Sequence, residues 1–140
     1  MSIKINEYII RIPLFVIFFW FGLLKPLGMS AAEPLVLDTV NWMPFLSPSQ
    51  WLNVIGWWEV IIGLAFLFQK TTNIALILLF LQMSGTFMPL FLLPEVTFQN
   101  LNPFTPTLEG QYIIKNILII ASAMIIAKKS LQEKKFIKTS

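Results

Sequence analysis

The sequence contains no cysteine and no histidine. Without cysteine the chain forms no disulfide, performs no thiol exchange and holds no iron–sulfur cluster. Without histidine it lacks the usual haem ligand, the commonest zinc ligand and the commonest general base. We therefore predict no catalytic residues, no metal site and no intrinsic cofactor. In a redox reaction, a bound quinone or a partner subunit would have to carry the electrons.

Charged residues are also scarce. They make up 12% of the 140 residues, against about 25% in a soluble domain. Hydrophobic residues make up 56% of the chain, and the mean hydropathy is +0.75. So few polar residues cannot cover the surface of a soluble globule. The composition predicts an integral membrane protein whose outer solvent is the bilayer.

Four apolar runs have the length of a membrane span, for which about 17–25 residues are needed. They cover residues 8–24, 48–68, 73–93 and 111–127. We expect an all-α membrane protein with one domain, residues 1–140, folded as a four-helix transmembrane bundle. Residues 69–72 are all that separates the second run from the third, which predicts a tight antiparallel hairpin. Ser47 and Pro48 are typical of a helix start, and Pro89 predicts a kink in the third span.

The basic residues predict an orientation. Lys4, Arg11, Lys70 and the five lysines of the tail 128–140 fall on one side of the predicted bundle. By the positive-inside rule that side is cytoplasmic, which places both termini there and both long connections outside. The tail lysines are not interleaved with aromatic residues as in a nucleic-acid site. They indicate contact with membrane lipid and no nucleic-acid partner.

A single carboxylate, Glu59, interrupts the second apolar run. Because a carboxylate in hydrocarbon costs roughly 3 kcal/mol, we expect it to face the bundle interior and to have a partner. Lys25 and Lys115 end other runs on the same side and are the candidate partners. Small or polar residues lie on one edge of each span. The predicted polar cluster comprises Gly22, Lys25, Glu59, Gly63, Gln82, Thr86 and Lys115.

This cluster has three interpretations. It is a structural ion pair between Glu59 and one lysine, a pocket for a polar headgroup or quinone carbonyl, or a proton relay. In the pocket, the surplus positive charge and the amide of Gln82 would receive the ligand. The proline-rich connection 94–110 is either a lid over that pocket or a plain surface loop, and Gly110 at its end permits a close approach.

Three segments resemble the DoxX-like family of small bacterial membrane proteins. They are Phe21-Gly-Leu-Leu-Lys25, Ile55-Gly-Trp-Trp-Glu-Val-Ile-Ile-Gly63 and Thr107-Leu-Glu-Gly-Gln-Tyr-Ile-Ile-Lys-Asn116. Ser47-Pro48 and the segment around Glu59 are also similar to the branch of reactive-chlorine-resistance membrane proteins. The resemblance implies a four-helix bundle in the bacterial inner membrane, linked to quinone oxidation, redox enzyme subunits or oxidative-stress defence. The functional positions that it implies are Gly22, Lys25, Glu59, Gly63, Gly110 and Lys115.

These observations leave three classes of function. The first is a non-catalytic accessory component, at most a subunit of a membrane oxidoreductase system, that binds a quinone-like or lipid ligand. The second is a small-molecule or ion transporter, which would have to act as a homo-oligomer because four helices are too few for an inverted repeat. The third is a structural or assembly factor without a ligand.

Overall fold

The computed structural model describes residues 6–139, and over that range the chain is helical. Eight α-helices and two short 3₁₀ turns follow one another in the described part. The α-helices are α1 (Tyr8–Leu24), α2 (Glu33–Val40), α3 (Pro48–Leu67), α4 (Thr72–Phe87), α5 (Pro89–Leu92), α6 (Pro94–Thr97), α7 (Leu108–Ile114) and α8 (Asn116–Thr139). The 3₁₀ turns are Gln69–Thr71 and Gln99–Leu101.

Three helical stretches in the described residues are long and apolar enough to cross a membrane. They are Pro48–Leu67, Gln69–Leu92 and Leu108–Thr139, and α1 is a shorter apolar helix of 17 residues. Large apolar side chains cover the outside of these helices, with Ile77 62% and Leu118 73% exposed. Such a surface suits lipid and not water. The all-helical class is confirmed, with three helical stretches that are long and apolar enough to span a membrane.

Local signals explain where α3 begins and ends. Ser47 accepts a hydrogen bond from the backbone N–H of Gln50, whose side chain accepts one from the N–H of Ser47. This capping box satisfies two of the free N–H groups at the start of α3. In the predicted hairpin, the Thr71 hydroxyl donates to the carbonyl of Ala65 at 2.7 Å. The short turn between α3 and α4 is therefore present as expected.

The proline at position 89 interrupts the third apolar run, as predicted. Pro89 has no N–H to continue the backbone hydrogen-bond ladder. Helix α4 therefore ends at Phe87, and the four-residue helix α5 begins at Pro89. The predicted span 73–93 is thus two consecutive helices.

Two segments, the first connection and the C-terminal tail, contain helix that the sequence analysis does not predict. The first connection, between Lys25 and Ser47, contains the helix α2, which packs against α3. At the C-terminal end, α8 continues through the basic residues to Thr139. The predicted tail 128–140 is therefore helical over 128–139, because lysine, glutamine and glutamate are good helix formers. Position 140 and the orientation marker Lys4 lie outside the described residues.

Helix α1 packs along α3 at unusually short range, and glycines permit this. A Cβ atom built on Gly22 would lie 2.8 Å from the carbonyl oxygen of Gly56, and one on Gly56 would lie 2.8 Å from the carbonyl oxygen of Gly22. Further along, a Cβ on Gly63 would lie 2.8 Å from the backbone nitrogen of Phe19. Small residues allow this approach between membrane helices. Beneath it lies a buried core built from α1, α3, α4 and α8.

Replacing Gly22 by alanine should therefore destabilise the fold. The added methyl group would push α1 away from α3, at an expected cost of about 1–3 kcal/mol in the free energy of unfolding. Gly85→Ala is the matched control, because a Cβ at Gly85 meets nothing within 4 Å. Alanine also favours a helix over glycine by about 1 kcal/mol. Unfolding in mixed micelles should show a loss for Gly22→Ala and none for Gly85→Ala; equal behaviour would contradict close packing at Gly22.

Candidate functional site

The lone carboxylate of α3 forms an ion pair with Lys25. The ammonium Nζ of Lys25 lies 2.5 Å from Glu59 Oε2 and also donates to the carbonyl of Phe21 at 3.4 Å. Lys25 is only 7% exposed, although it lies at the end of α1. Of the two pairings that the sequence allowed for Glu59, the structure has the one with Lys25.

The second carboxylate oxygen of Glu59 also has a partner. Gln82 Nε2, on α4, donates to Glu59 Oε1 at 2.9 Å. The carboxylate thus joins α1, α3 and α4, and each of its oxygens accepts a hydrogen bond. This arrangement compensates the loss of water that burial imposes on an ionised group.

The backbone explains why these three side chains meet. The contact between Gly22 and Gly56 places the end of α1 directly beside Glu59. On the other side, the indole N–H of Trp58 donates to the carbonyl of Leu78 at 3.1 Å, which fixes α3 against α4. Gln82 follows Leu78 by four residues and so lies on the same face of α4. It therefore faces Glu59.

A cavity of about 810 Å³ adjoins this ion pair. It is bounded by α1, α2, α3, α4, α7 and α8, and most of its lining is apolar. Lys25, Glu59 and Gln82 form part of its wall, together with Lys115 and Asn116. Its volume falls within the range of about 300–1,000 Å³ that is usual for small-molecule sites, and such sites combine apolar walls with a few polar groups.

Lys115 lies on the cavity wall but does not reach Glu59. It occupies the break between α7 and α8, and its ammonium group stands over the ring of Tyr112, 5.5 Å from the centroid. Within the described range 6–139, it forms no ion pair with a carboxylate. Thr86 also lines the cavity, and its hydroxyl donates to the carbonyl of Gln82 within α4.

The two remaining candidate glycines lie away from the cavity. Gly63 packs on α1, as described above, and Gly110 packs against Thr97 so closely that a Cβ would lie 2.1 Å from the Thr97 carbonyl oxygen. Thr107 closes the same connection by donating from its hydroxyl to the carbonyl of Val96 at 2.6 Å. Gly110 therefore allows the connection to fold onto the start of α7.

The connection 94–110 contributes no residue to the cavity wall. It folds on itself through a bridge between Phe98 and Pro106, and Phe104 is 91% exposed. This geometry favours the interpretation of the connection 94–110 as a surface loop and not as a lid. The first connection contributes instead, because α2, the helix that the sequence analysis missed, adds Leu35, Val36 and Thr39 to the cavity wall.

The sequence analysis also missed a second charged cluster, around Arg11. Arg11 is 2% exposed and bonds Glu7 through two nitrogens, at 2.8 and 2.9 Å. Its third nitrogen donates to the carbonyl of Phe66 at 3.0 Å, and Lys129 lies 3.2 Å from Glu7. The spacing of four residues between Glu7 and Arg11 was the available sequence signal. Arg11 was treated only as an orientation marker.

Glu7 is ionised at neutral pH in this cluster. Burial alone would raise the pKa of its carboxyl group, but the hydrogen bonds and charges of Arg11 and Lys129 outweigh burial. The pKa of Glu7 therefore lies below its ordinary value. The three groups carry a formal charge of +1 and join the start of α1 to the end of α3 and the middle of α8.

One buried polar atom in the cavity region has no hydrogen-bond partner. Among the described residues it is the indole nitrogen of Trp51, a residue of the cavity wall whose nitrogen is itself buried away from the cavity. A buried donor without an acceptor costs about 1–3 kcal/mol.

The described residues contain no group of three or more acidic, histidine or cysteine side chains that could hold a metal ion. No protein-family profile, curated protein or solved structure matches the chain. The geometry of the cavity and of the two charged clusters therefore carries the functional argument.

Proposed function

We propose that the protein is a non-catalytic component of the bacterial inner membrane that binds a quinone-like or lipid ligand. The observation that carries this proposal is the cavity of about 810 Å³ beside the Lys25–Glu59 pair. Its apolar walls suit a hydrocarbon body, and its polar groups suit a head that carries oxygen atoms. Gln82 adds an amide group to the same wall, whereas the amide nitrogen of Asn116 already donates to the carbonyls of Tyr112 and Ile113.

The proposal includes four spans arranged as a bundle. Helix α1 has 17 residues, the lower end of the length needed to cross a bilayer. It contacts α3 at both ends, through Arg11 with Phe66 and through Lys25 with Glu59. A helix that runs antiparallel to a spanning helix over this length supports a fourth span.

The resemblance to the DoxX-like family adds a biological setting to the proposal. It supports a role beside a membrane redox enzyme or in the oxidative-stress response. The doubly hydrogen-bonded Glu59 favours a second candidate, a structural or assembly factor in which the ion pair only holds helices together. The presence or absence of a ligand in the purified protein distinguishes the two candidates.

The proposed orientation has both termini in the cytoplasm. Because the chain has no native cysteine, single cysteines at Lys70, Asn102 and Lys135 provide clean probes, and all three positions are exposed. In spheroplasts, an impermeant thiol reagent should label the cysteine at 102 and spare those at 70 and 135. Labelling at 70 or 135, or protection at 102, would overturn the orientation.

The ligand can be sought directly. Protein purified in mild detergent should carry a quinone-like or lipid molecule that mass spectrometry detects at near-equal ratio to the chain. Gly85→Phe should lose this molecule, because Gly85 lines the cavity and a side chain there enters open space. Ile77→Phe is the matched control, on the same helix but outside the cavity wall. A wild-type protein that carries no such molecule would favour the assembly factor.

A further inference from the structure

The charges that line the cavity do not cancel. Its charged residues are Lys25, Glu59 and Lys115, which sum to +1. Both carboxylate oxygens of Glu59 already accept hydrogen bonds, one from Lys25 and one from Gln82. The negative charge of Glu59 is thus compensated by Lys25, and the surplus positive charge lies at Lys115.

Lys115 has no anionic partner among the described residues. Its ammonium group contacts the ring of Tyr112, and a cation over an aromatic face still has N–H groups to donate. A ligand oxygen could accept a hydrogen bond from the ammonium group, and an anionic oxygen would also compensate its charge.

We propose that the cavity selects an amphiphile with an anionic oxygen headgroup, a carboxylate or a phosphate ester, which Lys115 binds. This inference rests on the proposed ligand-binding function and narrows its ligand class. A neutral quinone would satisfy the hydrogen bonds but leave the charge of Lys115 uncompensated, and a cationic amphiphile would be repelled. The same headgroup chemistry occurs in free fatty acids and in acidic phospholipids.

The test uses tryptophan quenching, because Trp51 and Trp58 line the cavity. The full chain in an uncharged detergent is titrated with a brominated long-chain fatty acid and with the brominated alcohol of equal length. The titration is run at about pH 8, where a carboxylic acid is ionised. We expect saturable quenching by both, with the acid bound about tenfold more tightly, as for a hydrogen bond to a charged group.

Three variants locate the selectivity. Lys115→Gln should bring the affinity for the acid down to that for the alcohol, and Lys115→Arg should retain the preference. Lys70→Gln, an exposed lysine in the turn between α3 and α4, is the matched control and should behave as wild type. Lys115 is exposed, so its replacement should leave folding intact, which an unchanged elution profile in detergent checks.

The outcomes separate this inference from the proposed function. Equal affinity for acid and alcohol in the wild type, or a preference that survives Lys115→Gln, overturns the anionic selectivity while ligand binding stands. No saturable quenching by either compound overturns both. In lipid nanodiscs, stronger quenching by brominated phosphatidylglycerol than by brominated phosphatidylcholine assigns the headgroup to a phospholipid. A preference in the fatty-acid arm alone assigns it to a free acid.

Discussion

Glu59→Gln should lower the free energy of unfolding by about 3–5 kcal/mol, because it leaves the ammonium group of Lys25 buried without its counter-charge. The side chain of Lys25 is 8% exposed and that of Glu59 is 14% exposed, so water compensates only a small part of the lost interaction. Glutamine preserves the shape of the side chain and an oxygen that can accept from Gln82. The loss of unfolding free energy should therefore reflect the missing charge and not a change in packing. Unfolding by a denaturing detergent in mixed micelles measures it.

A second substitution should restore part of that stability. Lys25→Met removes the stranded charge and keeps most of the apolar stem, so Glu59→Gln with Lys25→Met should be less destabilised than Glu59→Gln alone. Lys115→Met supplies the matched control, because Lys115 lies on the same cavity wall without pairing with Glu59. Coupling between Glu59 and Lys115 that equals or exceeds that with Lys25 would contradict the observed ion pair.

Only part of the polar cluster could be predicted from the sequence. Glu59 stood out because a carboxylate in an apolar run is costly, and Gln82 lay on a polar stripe of the next helix. The choice between Lys25 and Lys115 could not be made, because both lysines end apolar runs on the same side. The break between α7 and α8 and the ring of Tyr112 decide it. These are tertiary features with no local signature.

Of the two interpretations that the sequence allows for the connection 94–110, a lid or a surface loop, the structure favours the surface loop. The segment 94–110 attracted attention through its prolines and aromatics, but it folds onto α7 through Thr107 and Gly110. Helix α2 has only eight residues, too few for its apolar periodicity to be distinguished from a connection. Its contribution to the cavity wall depends on its packing against α3, which the sequence does not show. A short helix with mixed polarity is where the sequence pattern carries least information.

The inward position of Arg11 could not be predicted from the sequence for a related reason. A basic residue near the end of an apolar run usually extends to the headgroup layer, which is how orientation rules treat it. Here α3 ends nearby, and the last carbonyl groups of a helix lack partners within the helix. Arg11 turns inward, donates to one of these carbonyls at Phe66 and pairs with Glu7. The sequence holds both halves of this contact, but they lie 55 residues apart.

Arg11→Met should therefore destabilise the protein by about 3 kcal/mol, the lower end of the cost of breaking a buried pair, because Lys129 still faces the ionised Glu7. The Phe66 carbonyl would also lose its donor. Adding Glu7→Gln to Arg11→Met should recover part of the loss, since it removes the under-compensated carboxylate. Lys128→Met is the matched control, an exposed lysine beside Lys129 that should change the free energy of unfolding by less than about 0.5 kcal/mol. Denaturing-detergent titrations of the four proteins measure these effects, and an Arg11→Met variant as stable as Lys128→Met would show that the Arg11 cluster does not hold α1 against α3 and α8.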